Sequence, residues 1–167
     1  MSINTSKVIW IKKLIDSRYL LYQNGEQVGV LVNSAFKMHF TGELKGERIF
    51  LNPQGFLNSN LDIFNSEKEK IGEIKFDLWK LRAKITFSET EKYEFAFTNI
   101  FHLNWIVTGK NNSVEYSSSI TNGSFEIQNI EDKKLAITGL AIRSYLVLNG
   151  YNIFTAILLI FIVLMVL

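Results

Sequence analysis

The sequence predicts a mainly β protein that ends in one apolar helix. Two observations carry that expectation. Short runs of β-branched and aromatic residues recur from Lys7 onward, separated by turn-forming residues, and no stretch before Tyr151 shows a helical period. The final stretch, YNIFTAILLIFIVLMVL from Tyr151 to Leu167, then carries no charge at all. A helix that is apolar on every side belongs in a protein core or in a bilayer.

The elements follow in chain order. Lys7 to Ile15 reads as a first strand or an edge element. Asn24-Gly25 within Arg18 to Leu31 marks a hairpin, because both residues accept positive φ. Phe36, Met38 and Phe40 alternate with Lys37, His39 and Thr41, the period of a half-buried strand. Asn52-Pro53-Gln54-Gly55 fits a type I turn. Hairpins then recur. Leu61 to Phe64 and Ile71 to Phe76 flank the turn Ser66 to Lys70, and Arg82 to Phe87 and Tyr93 to Phe97 flank Glu89 to Lys92. Leu103 to Val107 and Val114 to Tyr116 flank Gly109 to Asn112, and Phe125 to Ile127 and Leu135 to Ile137 flank Glu131 to Lys134. Leu140 to Leu148 reads as a last strand that feeds the helix. The total is about twelve short, evenly spaced strands, as in sandwiches and barrels. No linker or low-complexity run divides the chain, so residues 1–167 read as one domain.

The terminal run from Ile153 to Leu167 is 15 residues long, interrupted only by Thr155. A helix of that length reaches roughly 22 Å, against a hydrocarbon core of about 30 Å. The run is short for a span and long for an ordinary core helix. It has no polar residue after it and no basic cluster just before it, Arg143 being the nearest cation. Burial in the protein is therefore the first expectation, and a tail anchor in a membrane is the alternative.

Composition narrows the function. Eighteen basic and 16 acidic residues leave a net charge of +2, which does not predict nucleic-acid binding. The absence of cysteine excludes disulfides and thiolate metal sites. The N-terminus MSINTSKVIWIKKL lacks a long apolar stretch, so no secretory signal is expected and the location reads as cytoplasmic, with or without membrane association. The sequons at Asn4, Asn111 and Asn122 carry little weight in that setting.

Two segments, LDIFNSEKEKIGEI (61–74) and FEIQNIEDKKLAIT (125–138), align without gaps. They share an acidic second residue, Ile63/Ile127, Asn65/Asn129, Glu67/Glu131 and Lys70/Lys134. With this repeated unit, an all-strand body and an apolar C-terminal helix, the chain resembles the tubby-like superfamily. That superfamily includes the tubby C-terminal domain, the phospholipid scramblases and the LURP-one-related proteins. The resemblance runs from roughly Arg18 to Leu167. It implies a closed antiparallel barrel of about twelve strands around a central hydrophobic C-terminal helix, here 151–167. It also implies a membrane-surface, anionic-phospholipid or protein-binding module, or a scramblase-like lipid-handling protein. Geometry agrees with the barrel. Twelve strands about 4.8 Å apart and tilted about 40° enclose a space that one apolar helix of about 10–12 Å diameter fills.

Catalytic signatures are missing. The sequence has no phosphate-cradling glycine loop, no H-E-x-x-H and no G-x-S-x-G. His39 and His102 stand in no ligand spacing, and no carboxylate pair can be assembled from spacing alone. No enzyme, no cofactor and no metal are expected. Neither the calcium segment of scramblases nor the phosphoinositide-binding residues of tubby can be placed on this chain. One constellation suggests a ligand. In WKLRAKITF, Lys80, Arg82 and Lys84 alternate with Leu81, Ala83 and Ile85, so a strand would present the three cations on one face. Trp79 adjoins them as an amphipathic anchor for an anionic headgroup. The bland alternative is a solvated outer strand face neutralised by nearby Glu. Lys12, Lys13 and Arg18 form a second basic group, with Asp16 inside it.

Overall fold

The computed structural model describes residues 6–13, 16–34, 39–54, 60–127 and 132–147. Twelve strands come first: β1 (Ser6–Lys12), β2 (Arg18–Gln23), β3 (Glu26–Ser34), β4 (His39–Leu44), β5 (Glu47–Pro53) and β6 (Asn60–Phe64), then β7 (Lys70–Asp77), β8 (Arg82–Thr86), β9 (Lys92–Phe97), β10 (Asn104–Gly109), β11 (Ser113–Ser118) and β12 (Asn122–Ile127). Each pairs antiparallel with its neighbours in sequence, and β1 closes on β12 with Trp10 opposite Gly123. Closure leaves no unpaired edge that could recruit another strand. Along each strand the side chains alternate, as in β6, where Leu61 and Ile63 are buried and their neighbours only partly so.

The hairpins follow from local chemistry. Asn24 and Gly25 have φ of 52° and 86°, the left-handed pair of a type I′ turn. Lys45 and Gly46 make the same turn, with φ of 50° and 82°. This second hairpin creates β5, a strand missing from the expected set. Consequently Asn52 and Pro53 do not form a turn. They end β5, paired with Asp62 and Leu61, a position where a strand tolerates proline. Gly55 lies outside the described residues, as do Phe36 and Met38; from that expected strand, Phe40 is buried in β4 and His39 is exposed.

The larger correction concerns the end of the chain. Residues 132–147 are helical (α1), so Leu135 to Ile137 and the stretch from Leu140 to Val147 are not strands. The segment that resembles a second hairpin is a strand followed by a helix. The expected central helix, 151–167, lies outside the described residues, and so does Leu148. It is α1 that occupies the barrel.

Every residue of α1 from 135 to 146 is buried, so no face of it meets solvent. Its six large apolar side chains, Leu135, Ile137, Leu140, Ile142, Tyr145 and Leu146, are at most 2% exposed. At about 2 kcal/mol each, their burial contributes on the order of 10 kcal/mol, as much as the net stability of a typical domain. The plug is therefore part of the fold and not an accessory to it. Large strand side chains meet small helix positions. The Tyr116 hydroxyl donates to the Ala136 carbonyl at 3.0 Å and lies where a side chain on Gly139 would be. Polar groups on the helix find partners as well. The Thr138 hydroxyl donates to the Lys134 carbonyl at 2.8 Å, and Tyr19 and Ser144 join hydroxyls at 3.2 Å. The Arg143 guanidinium lies over the rings of Trp10 and Trp105, at 5.4 and 5.0 Å from their centres, and reaches Ser118 Oγ at 3.4 Å.

These contacts also fix the direction of α1. It enters where β10 turns into β11, with Asn112 donating to Asp132 at 3.0 Å, and where β4 turns into β5, with Lys133 donating to the Lys45 carbonyl at 3.2 Å. Near its other end, Tyr145 stacks on Phe76 at the close of β7, with ring centres 4.2 Å apart. In an up-and-down barrel the connections alternate between ends. The β2–β3, β4–β5, β6–β7, β8–β9 and β10–β11 turns surround the entry end. The remaining connections, β1–β2 through β11–β12, surround the exit end of α1.

Candidate functional site

The expected alternation holds for part of the basic constellation. Arg82 and Lys84 lie on the exposed face of β8, while Ala83 and Ile85 are buried against the core. Trp79 and Lys80 precede the strand, in the β7–β8 turn at the exit end. That turn is closed by Asp77, whose carboxylate accepts from the Lys80 amide at 3.1 Å, and by Leu81 in a left-handed conformation (φ 50°). Its geometry leaves the Trp79 indole 93% exposed.

The structure adds a cation that spacing could not reveal. Lys75 on β7 stands directly opposite Lys84 in the register. Lys75, Lys80, Arg82 and Lys84 line one groove of about 400 Å³ across the outer faces of β7, β8 and β9. Asp77 and Glu94 share it, and Glu73 lies beside it. Lys75 pairs with Glu73 at 2.7 Å, Lys80 with Asp77 at 3.6 Å, and Glu94 stands opposite Lys84. The Lys75 ammonium holds the Glu73 carboxyl below its ordinary pKa. Among the described residues, Arg82 and Lys84 make no ion pair, so they are the cations left for a ligand. The acidic neighbours expected under the bland reading are thus present: Glu73 and Asp77 engage the flanking lysines, and Glu94 faces Lys84 across the strands.

The second basic group is divided. Arg18 forks onto the Asp16 carboxylate, with Nη2 to Oδ2 at 2.8 Å, and that hydrogen bond keeps the Asp16 carboxyl below its usual pKa. Lys12 sits over the Tyr19 ring at 5.0 Å, and Lys13 is exposed. His39 and His102 are both exposed, His102 in the β9–β10 turn against the Phe97 ring at 4.5 Å. Among the described residues, no three His, Asp or Glu side chains gather as a metal site would require. No described helix is long and apolar enough to cross a membrane.

Sequence comparison finds no known family whose profile matches and no curated protein that matches. Structural comparison finds a solved X-ray structure of an Arabidopsis thaliana protein. It superposes with a TM-score of 0.56 at 9% identity, over 89% of this chain and 91% of that one. At that identity the likeness shows a shared fold and nothing more.

Proposed function

We propose that this chain is a non-enzymatic, tubby-like module that binds membrane surfaces bearing anionic phospholipid. The observation that carries the reading is the β7–β8 hairpin. An almost fully exposed tryptophan stands at its tip, and the unpaired cations Arg82 and Lys84 follow on the adjoining strand face. Indole rings favour the headgroup layer, and cations gain about 1 kcal/mol each near an anionic leaflet. The groove lies on the outer face of the sheet, where it can meet headgroups presented by a surface.

Charge reversal tests the reading. K80E/R82E/K84E removes about 2–3 kcal/mol of attraction, once the Asp77 partner of Lys80 is discounted, and adds repulsion, so partitioning falls by at least roughly 30- to 150-fold. Co-sedimentation with vesicles of phosphatidylcholine, with and without phosphatidylserine, measures it. Equal sedimentation of variant and wild type with the anionic vesicles would refute the proposal.

One observation favours a second reading, a β-domain tethered by its tail. Because α1 fills the barrel, the apolar run from 153 to 167 is not needed to complete the core.

A further inference from the structure

The two ends of the barrel differ in chemistry. Among the described residues, six large apolar side chains are exposed. Two, Ile9 and Ile11, lie on the outer face of β1 and are about half exposed. The other four all stand on connections at the exit end: Trp79 (93%), Ile100 (84%), Phe101 (74%) and Ile120 (77%). They occupy three successive exit-end hairpins, β7–β8, β9–β10 and β11–β12, with tips spaced about 10 Å apart, two strand widths. The next connection around the rim, β1–β2, contributes Lys12, Lys13 and Arg18. No described turn at the entry end exposes a large apolar side chain; those turns carry Glu26, Glu47, Glu67, Glu69, Glu89 and Glu91, interleaved with lysines.

The exposed tips are held outward by their own turns. Asp77 closes the Trp79 turn. The Asn99 side-chain carbonyl accepts from the Leu103 amide at 3.0 Å and closes the turn that carries Ile100 and Phe101. Around Ile120, the Ser119 amide donates to the Asn122 carbonyl at 2.8 Å and the Ser119 hydroxyl to Asn122 Oδ1 at 3.0 Å. Four apolar side chains fixed in water at one end of a closed barrel mark a contact surface. The cations beside them favour an anionic partner, and α1 finishes at this same end.

We infer that the exit end is a membrane-inserting surface. The barrel stands end-on upon a bilayer, with Trp79, Ile100, Phe101 and Ile120 in the interfacial layer and the glutamate-bearing end facing away. This inference rests on the membrane reading above and adds an orientation and a set of residues outside the cationic groove.

The lack of native cysteine makes the test clean. Single variants F101C and I120C at the exit end, and E67C and E89C at the entry end, are labelled with the polarity-sensitive fluorophore NBD in the full chain. Vesicles of phosphatidylcholine and phosphatidylserine should blue-shift and brighten the label at 101 and 120, several-fold, and leave 67 and 89 unchanged. As a check that needs no label, brominated lipid should quench Trp79 emission, while the emission of Trp10 and Trp105, which are buried, should stay unquenched. A chain that binds vesicles with neither 101 nor 120 responding would overturn the orientation and leave the anionic-surface reading standing. Equal response with phosphatidylcholine alone would support insertion and count against the anionic reading. Labels at 101 and 120 that are already shielded before vesicles are added would show a second copy or the chain itself on this surface, and would overturn the inference.

Discussion

Gly42 on β4 is where the placement of α1 can be tested most sharply. A methyl group there would lie 2.1 Å from Ile137 Cγ2 and 3.4 Å from Leu31 Cδ1. Apolar carbons rest at about 3.5–4.0 Å, so the overlap with Ile137 is about 1.5 Å. The strand cannot yield easily, because Gly42 is paired on both sides, with Leu31 and Ile49. G42A should therefore cost about 1–3 kcal/mol by overpacking. I137A should cost about 2–5 kcal/mol by opening a cavity in a fully buried site. The double variant is decisive. The I137A substitution removes Cγ2, so the new methyl at position 42 enters the space that Ile137 vacates. G42A/I137A should then be no less stable than I137A alone, a favourable coupling of about 1–3 kcal/mol. Urea unfolding followed by the fluorescence of buried Trp10 and Trp105 measures all four corners of the cycle. Additivity within about 0.5 kcal/mol would mean that Ile137 does not lie over β4, and the placement of α1 would be wrong.

Two further outcomes follow from the same core. A chain ending at residue 150 keeps α1 and should unfold cooperatively by circular dichroism, whereas one ending at 131 loses the plug and should not fold. Burial, and secondarily the charge of Asp132, push the Tyr116 hydroxyl well above its ordinary pKa of 10.0, and burial raises that of Tyr145. The folded state thus keeps protons that the unfolded chain releases, so their contribution to stability is complete below about pH 10 and is lost as pH climbs above it; absorbance at 295 nm, compared between wild type and Y116F, should show the Tyr116 phenol ionising only as the protein unfolds.

What the sequence could reveal depended on how local each signal was. Asn24-Gly25 specifies its turn from two residues, and Arg82 and Lys84 specify their shared face by alternation alone. Both needed only the backbone's own period. Lys45-Gly46 was less legible, because lysine is not a usual left-handed residue, and without that turn β5 disappears. Residues 132–147 misled for a different reason. A helix buried on every side has no polar face, so its sequence carries no 3.6-residue period. Ile137, Thr138, Gly139 and Ile142 further lower its helical propensity. The polar EDKK at its start then reads as one more hairpin turn. The pairing of Lys75 with Lys84 was illegible because register across strands is a tertiary property. The clustering of Trp79, Phe101 and Ile120 required the topology that brings alternate turns to one end.

The order of elements decides which stretch fills the barrel and where that stretch finishes. A twelve-strand barrel admits about one helix, and residues 132–147 take that place, with twelve consecutive buried positions and partners on β2, β7 and β11. Because β12 runs toward the entry end and α1 runs back, an even number of strands delivers the chain's last described residue to the end where the hairpins expose Trp79, Ile100, Phe101 and Ile120. Had the barrel an odd count, α1 would finish among the glutamate-bearing turns. Strand number thus sets the end at which α1 finishes, and that is the end whose hairpin tips are apolar.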